Sequence, residues 1–273
     1  MKAAVISLAP TYGKSTFISV LAGVYSRSQK RSVVVMTTGD ANDNIQIVDT
    51  PVRNDEVANP YVFKSMVEAA ELKDESLLNY GVRQGAENVF IFNILGSSMA
   101  QNEKEEFFFT AMNKLPATLT LVEICGDYHD EFNRKIIAAC DCCLCLIDVS
   151  QKSIGMVAEF NRFLKELDAE DKDKLSDKAE TVAYVLAKYD PNVMGEKKLT
   201  KQTGIAMAGL MKFYYIPALQ RYALNGDLDK LAYDIITGIN EVVQLRMALY
   251  EVMCYLFDAK DRKIIREIGK WYK

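Results

Sequence analysis

The chain has one histidine, one tryptophan, six prolines and fourteen glycines in 273 residues. With His129 alone, a histidine-rich metal centre is excluded, and no triad with a neighbouring Ser or Cys nucleophile is evident. So little Gly and Pro excludes collagen-like and low-complexity classes. No apolar run approaches the ~20 residues that a membrane-spanning helix needs. The apolar part of the opening segment, Ala3-Ala4-Val5-Ile6, is too short for a secretory signal before Pro10 and Lys14 interrupt it. Six cysteines without such a signal lead us to expect free thiols in a reducing, cytoplasmic setting.

Positive charge is not in excess either. There are 33 basic and 37 acidic residues, a net charge of −4, which argues against a protein that coats nucleic acid. The charge is uneven, however. Residues 260–273 hold six basic side chains (Lys260, Arg262, Lys263, Arg266, Lys270, Lys273) against Asp261 and Glu267. That segment is therefore +4 and the rest of the chain −8.

What is present is average for a globular protein: 49% hydrophobic and 26% charged residues. The length suits one large α/β domain, or a domain with a short appendage. Apolar runs of strand length fall at 3–8, 33–36, 88–95, 117–125, 142–149, 181–186 and 213–216. Between them, helical spacing predicts helices at 15–25, 62–80, 103–115, 130–139, 157–167 and from 198, and a helical pattern from 228 onward. The charged stretch 168–177 reads as a solvated connection. Such alternation predicts a doubly wound, mostly parallel sheet with helices on both faces. We see no internal repeat, and divide the chain into a main α/β domain at 1–240 and a helical C-terminal extension at 241–273.

The sharpest chemical signal is Gly13-Lys14-Ser15-Thr16, between the first strand and the first helix. Phosphate binding needs backbone N–H groups at a helix N-terminus, a lysine for the β- and γ-phosphates and a hydroxyl for Mg²⁺. Gly13, Lys14 and Ser15 supply these in order, although Leu8 stands where the first glycine of G-x-x-x-x-G-K-[ST] belongs. The competing explanation is a helix cap carrying a chance Gly-Lys-Ser.

The segment 4–16, ending in Tyr12-Gly13-Lys14-Ser15-Thr16, resembles the start of the ParA/MinD class of P-loop ATPases, with its deviant Walker A motif K-G-G-x-G-K-[ST]-[ST]. The resemblance continues along most of the chain. Residues 30–36 resemble that family's second strand, 121–127 the strand bearing its switch acid, and 138–147 the segment that follows. Residues 184–190, with Lys188, resemble its N-K strand near the base, and Tyr215-Ile216-Pro217-Ala218 its I-P strand end beside the adenine. The resemblance thus implies a SIMIBI-like P-loop fold and ATP or ADP with Mg²⁺ as cofactors. It implies nucleotide contacts from Tyr12, Gly13, Lys14, Ser15, Thr16, Lys188 and Pro217, with Ser15 on the metal.

Departures from the family pattern accompany it. Ala9 replaces the signature lysine, Pro10 and Thr11 replace two glycines, and Thr37 replaces the aspartate that orients the attacking water. Glu123 stands at the switch-strand acid and Ala187 at the base-contacting Asn. These changes erode hydrolysis more than binding, since a lost positioning group removes about 10²–10⁴-fold in rate. The branch most similar in such erosion is that of the TadZ/CpaE-type pilus-assembly localisers.

The carboxylate that serves Mg²⁺ stays open. Asp49, Glu123 with Asp127 beyond it, and Asp148 all follow apolar runs; the family register favours Glu123 or Asp127, the bare pattern Asp148. A doubly wound sheet puts polar loops at strand ends in any case. The cluster Cys140, Cys142, Cys143, Cys145 reads as buried free thiols, because on a strand Cys143 and Cys145 face away from Cys142. His129, in the loop after the switch strand, is a minor candidate for nucleotide or partner contact. Residues 257–273 place Phe257, Ile264, Ile265, Ile268, Trp271 and Tyr272 at helical spacing among basic residues. This is either a last helix packed on the body or a peripheral membrane or partner contact.

The reading that follows is a nucleotide-binding localisation or assembly factor with weak or no ATPase activity, acting through a nucleotide-biased homodimer or a protein partner of a localisation, secretion or pilus machinery. Two rivals remain: a nucleotide-free pseudo-ATPase scaffold, and an ATP-dependent small-molecule enzyme of the same superfamily.

Overall fold

The computed structural model describes residues 1–8, 13–39, 60–84, 88–92, 95, 99–170, 181–190, 192–205, 210–214, 216–225 and 227–257. Eight strands form one sheet: β1 (Lys2–Ser7), β2 (Val33–Thr37), β3 (Val82–Gln84), β4 (Val89–Phe92), β5 (Leu119–Glu123), β6 (Cys142–Ile147), β7 (Val182–Tyr189) and β8 (Leu210–Tyr214). Their order is β3-β4-β2-β5-β1-β6-β7-β8. Seven strands run parallel, and β3 pairs antiparallel with β4 at one edge.

Nine helices are described: α1 (Lys14–Gln29), α2 (Pro60–Ala69), α3 (Gln101–Lys114), α4 (Glu131–Ala139), α5 (Gln151–Glu170), α6 (Glu196–Thr203), α7 (Pro217–Asn225), α8 (Leu228–Thr237) and α9 (Val243–Phe257). Successive strand side chains point to opposite faces, so the sheet feeds two cores. Ala4 and Ile6 of β1 join Phe63, Phe107, Phe108, Phe160 and Leu199 from α2, α3, α5 and α6. Ala3 and Val5 join Phe17, Leu21, Leu231 and Leu249 from α1, α8 and α9. Buried on both faces, the strands are near-continuous apolar runs, as in Val33-Val34-Val35-Met36. The chain winds away from β1 in both directions, so the ends of β1, β5 and β6 form the crevice where such sheets bind ligands.

Several local expectations change. The helix expected at 62–80 stops at Ala69; Lys73 turns left-handed (φ 61°), and a 3₁₀ turn follows at Glu75–Tyr80. Asp74 caps that turn by accepting the Ser76 N–H at 2.9 Å. The short strand β3 was not anticipated. Gly81 precedes it, where a Cβ would lie 2.6 Å from the Phe92 ring. Helix α5 starts earlier than 157, because Ser150 caps it, its Oγ accepting the Ser153 N–H at 3.2 Å. It also runs on to Glu170, into the expected connection, whose remainder lies outside the described residues. Pro217 does not merely close a strand; it opens α7 from the first helical position, where its missing N–H costs nothing. Helix α9 packs into the second core, and Phe257 stacks on Tyr25 with ring centroids 4.9 Å apart. Residues 258–273, with Ile264, Ile265, Ile268, Trp271 and Tyr272, lie outside the described residues. Among the described residues no helix is long and apolar enough to cross a membrane.

Candidate functional site

The site grows from the junction of β1 and α1. Gly13 holds φ 134°, a conformation that side-chain-bearing residues rarely adopt. Its carbonyl accepts the Phe17 N–H at 2.8 Å and starts the helix. Lys14 and Ser15 are the first residues of α1, whose first turn holds no acid, so the positive end of its dipole is uncompensated from within the helix.

Both side chains turn toward β5, the parallel neighbour of β1, where Val5 and Glu123 are register partners. The Ser15 hydroxyl donates to Glu123 Oε1 at 2.8 Å. The Lys14 ammonium lies 3.6 Å from the same oxygen and donates to the Ile124 carbonyl at 2.5 Å. Glu123 is only 4% exposed, so its charge needs these partners. A lysine, a helix N-terminus and a hydroxyl therefore converge on one buried carboxylate. Two hard oxygen donors 2.8 Å apart suit Mg²⁺, whose octahedral ligands at 2.0–2.1 Å stand about 2.9 Å from one another.

The neighbouring strand end is tied in as well. Thr38 donates its N–H to the Glu123 carbonyl at 3.0 Å, and its hydroxyl accepts the Cys125 N–H at 2.9 Å. Thr37 is fully buried; its Oγ1 accepts the Gly39 N–H at 3.1 Å and lies 3.1 Å from Cys125 Sγ. That hydroxyl is taken up by local contacts. From α4, the Asn133 amide donates to the carbonyls of Cys125 and Asp127, both at 2.8 Å, and fastens the loop that follows Glu123.

Of the candidate acids among the described residues, Glu123 is the one in contact with Lys14 and Ser15. Asp127 accepts the His129 N–H at 2.9 Å and shapes its own loop. Asp148 accepts the Ser150 N–H at 2.9 Å and helps to begin α5. Thr16 is half-buried in α1, and Pro217 is exposed at the start of α7. Lys188 lies on β7 with its side chain outside the described residues, as do Tyr12, Ala9, Pro10, Thr11 and Asp49 altogether. His129 sits 3.6 Å from Glu159, against the rings of Tyr128 and Phe163. Burial pushes the Tyr128 phenol up to about 12. Cys143 and Cys145 enter the first core and Cys142 the second, and burial raises the Cys145 thiol well above its usual range. Among the described residues no His, Cys, Asp and Glu group of three or more could hold a metal ion. The Ile124 carbonyl, Thr38 and Asn133 were not singled out from sequence. Backbone acceptors and capping polar side chains carry no pattern that would mark them.

No protein-family model matches the chain, and no curated protein matches it. Solved structures do. A ParA family ATPase from Chlorobium tepidum superposes with a TM-score of 0.63 at 13% identity, over 93% of this chain and 98% of that one. The MinD cell division protein of Aquifex aeolicus gives 0.62 at 9% identity, over 94% and 97%. The septum site-determining protein MinD of Pyrococcus horikoshii, complexed with Mg-ADP, gives 0.56 at 13% identity, over 92% and 95%. The chain has the fold of the ParA- and MinD-type ATPases, a seven-strand parallel sheet between two layers of helices with β3 added at its edge.

Proposed function

We propose that the chain is a nucleotide-binding localisation or assembly factor that takes ATP or ADP with Mg²⁺ at Gly13, Lys14 and Ser15 and hydrolyses it slowly or not at all. The observation that carries this is the convergence of Lys14 and Ser15 on Glu123 at the N-terminus of α1. Phosphate there meets the lysine, the helix dipole and the free N–H groups of the first turn. Ser15 and Glu123 would hold Mg²⁺, which would neutralise phosphate charge when bound. Mg-ADP in the MinD structure of Pyrococcus horikoshii supports the same ligand on this fold.

Slow turnover rests on Thr37. Its hydroxyl is buried and engaged with Gly39 and Cys125, so it offers nothing to an attacking water. The function then lies in which surface each nucleotide state presents to a homodimer mate or protein partner. The loop at 124–129, held by Lys14 from one side and Asn133 from the other, is the element that phosphate would release. Eroded positions at Ala9, Thr37 and Ala187 favour the pilus-localiser branch among relatives.

A thermal-shift titration with ATP, ADP and GTP, each with Mg²⁺, tests the reading, with Lys14→Ala as the control. Native protein gains melting temperature and the variant does not. No shift and no calorimetric heat at millimolar nucleotide refutes binding and favours a scaffold whose lysine serves only Glu123 and Ile124.

A further inference from the structure

Helix α9 is apolar on two sides. Leu245, Ala248, Leu249, Val252, Met253 and Leu256 are buried in the second core. At about 100° per residue, Val243, Met247, Tyr250 and Cys254 gather on the opposite side, in the 4-3-4 spacing of a helix–helix seam. Val243 and Met247 are 43% and 45% exposed, Tyr250 and Cys254 are half-buried, and Ile239, just before the helix, is 44% exposed. Of the eight large hydrophobic residues exposed among the described residues, three fall in this stretch, so it is a patch rather than scattered exposure.

We propose that this stripe is the interface of a homodimer in which α9 of one protomer lies parallel to α9 of its partner. The flanking charges choose both the occupant and the direction. Val243 and Tyr250 take the d positions of a heptad and Met247 and Cys254 the a positions, which puts Arg246 at g and Glu251 at e, on opposite flanks of the stripe. In a parallel pair each flank meets the partner's opposite flank, and a g residue faces the e residue five positions on. Arg246 of either copy then meets Glu251 of the other, and the two-fold axis makes the pair twice. In an antiparallel pair like flanks meet, so Arg246 would face Arg246 and Glu251 would face Glu251.

The surroundings of both charges suit this role. Arg246 is half-buried, and its Nε has no hydrogen-bond partner among the described residues. Glu251 is exposed; Lys212 of β8, the cation that bears on it within the chain, is itself held by Glu196 at 2.6 Å. A lipid surface fits less well, because interfacial helices carry a basic polar face and α9 carries one Arg against one Glu. The core already holds α9 helical, so association has no helix to form. The stripe is short, its fifteen residues spanning ~22 Å. The contact therefore belongs to the weak, reversible class below ~1,200 Å². Such a dimer needs no nucleotide, is independent of the reading of Lys14 and Ser15, and lets two copies hold one target with avidity.

The test uses the full chain without nucleotide. Sedimentation velocity over rising concentration should show a reversible monomer–dimer equilibrium. Arg246→Glu and Glu251→Arg should each weaken the dimer about tenfold, since two exposed pairs turn from attraction to repulsion. The double variant, Arg246→Glu with Glu251→Arg, should restore it, and thermal melting checks that each variant is folded. Direction is read from the native thiol at an a position. In the parallel pair Cys254 faces Cys254 of the partner, within the Cα separation a disulfide spans, so mild oxidation and peptide mapping should find that symmetric bridge. In the antiparallel pair Cys254 faces position 243 instead, so a bridge that forms only in Val243→Cys, between 243 and 254 of two chains, overturns the proposal. A double variant no tighter than the single ones overturns it too. So does a protein that stays monomeric at every concentration: Cys254 closed to a thiol reagent would then assign the stripe to another segment of the same chain, and Cys254 open to it would leave the stripe unpaired.

Discussion

Glu123→Ala tests the candidate site most directly. The substitution removes the carboxylate oxygen that accepts the Ser15 hydroxyl at 2.8 Å and faces the Lys14 ammonium at 3.6 Å. The lysine and glutamate side chains are 17% and 5% exposed, so the pair is largely withdrawn from water. Removing one partner of a buried ion pair costs about 3–5 kcal/mol. Lys14 keeps the Ile124 carbonyl at 2.5 Å and some solvent, which places the loss at the lower end, about 3 kcal/mol. Near this chain length each kcal/mol moves Tm by about 2–4 °C, so unliganded protein should melt about 6–12 °C lower. Nucleotide should respond in the opposite sense. Phosphate without Mg²⁺ no longer faces a buried carboxylate; at an effective dielectric of 20, unit charges ~5 Å apart repel by about 3 kcal/mol, or about 10²-fold in affinity. The assay is differential scanning fluorimetry with ATP in EDTA and with ATP in Mg²⁺. Native protein gains more with Mg²⁺ than without it. The variant gains more than native protein in EDTA and nothing further from Mg²⁺. A variant that melts with the native protein, or that keeps the full Mg²⁺ increment, refutes the pairing of Glu123 with Lys14 and Ser15 as the basis of the site.

Asn133→Ala should free the loop after β5 by stripping two carbonyls of their donor, at a cost of about 2 kcal/mol. Amide exchange measured at 125–129 should quicken while β7 and β8 stay protected; unchanged exchange would show that the clamp does not hold the loop. Tyr128→Phe should stabilise, because the buried hydroxyl finds no hydrogen-bond partner among the described residues and an unsatisfied group costs about 1–3 kcal/mol. The same substitution should flatten the alkaline limb. The folded phenol titrates at about 12 against 10.0 in the unfolded chain, chiefly through burial, so native protein loses stability as pH rises from about 10 to 12. Equal alkaline melting curves for the two proteins would contradict that assignment.

Much of this molecule was legible along the chain because its signals are local. Strand runs such as Val33 to Met36, the loop-to-helix step at Gly13, and the opposed faces of Cys142 and Cys143 follow from period-2 alternation and turn chemistry within a few residues. The capping that starts α5 six residues before its apolar spacing, and Pro217 as the first residue of α7, were equally local but weakly marked. Which acid meets the lysine was not a local matter. Asp49, Glu123, Asp127 and Asp148 carry similar signals, and among the described three Glu123 touches Lys14 and Ser15 because β5 inserts between β2 and β1 and sets Glu123 beside Val5. Strand order is chosen by the burial of whole faces and by crossovers spanning many residues, and no propensity at position 123 encodes it. The same holds for Thr37, whose hydroxyl meets Cys125 because the ends of β2 and β5 are adjacent, while its bond from the Gly39 N–H is local. Sequence determined the elements and the phosphate-binding step; tertiary structure decided which carboxylate and carbonyl surround it, because those contacts join residues about a hundred positions apart.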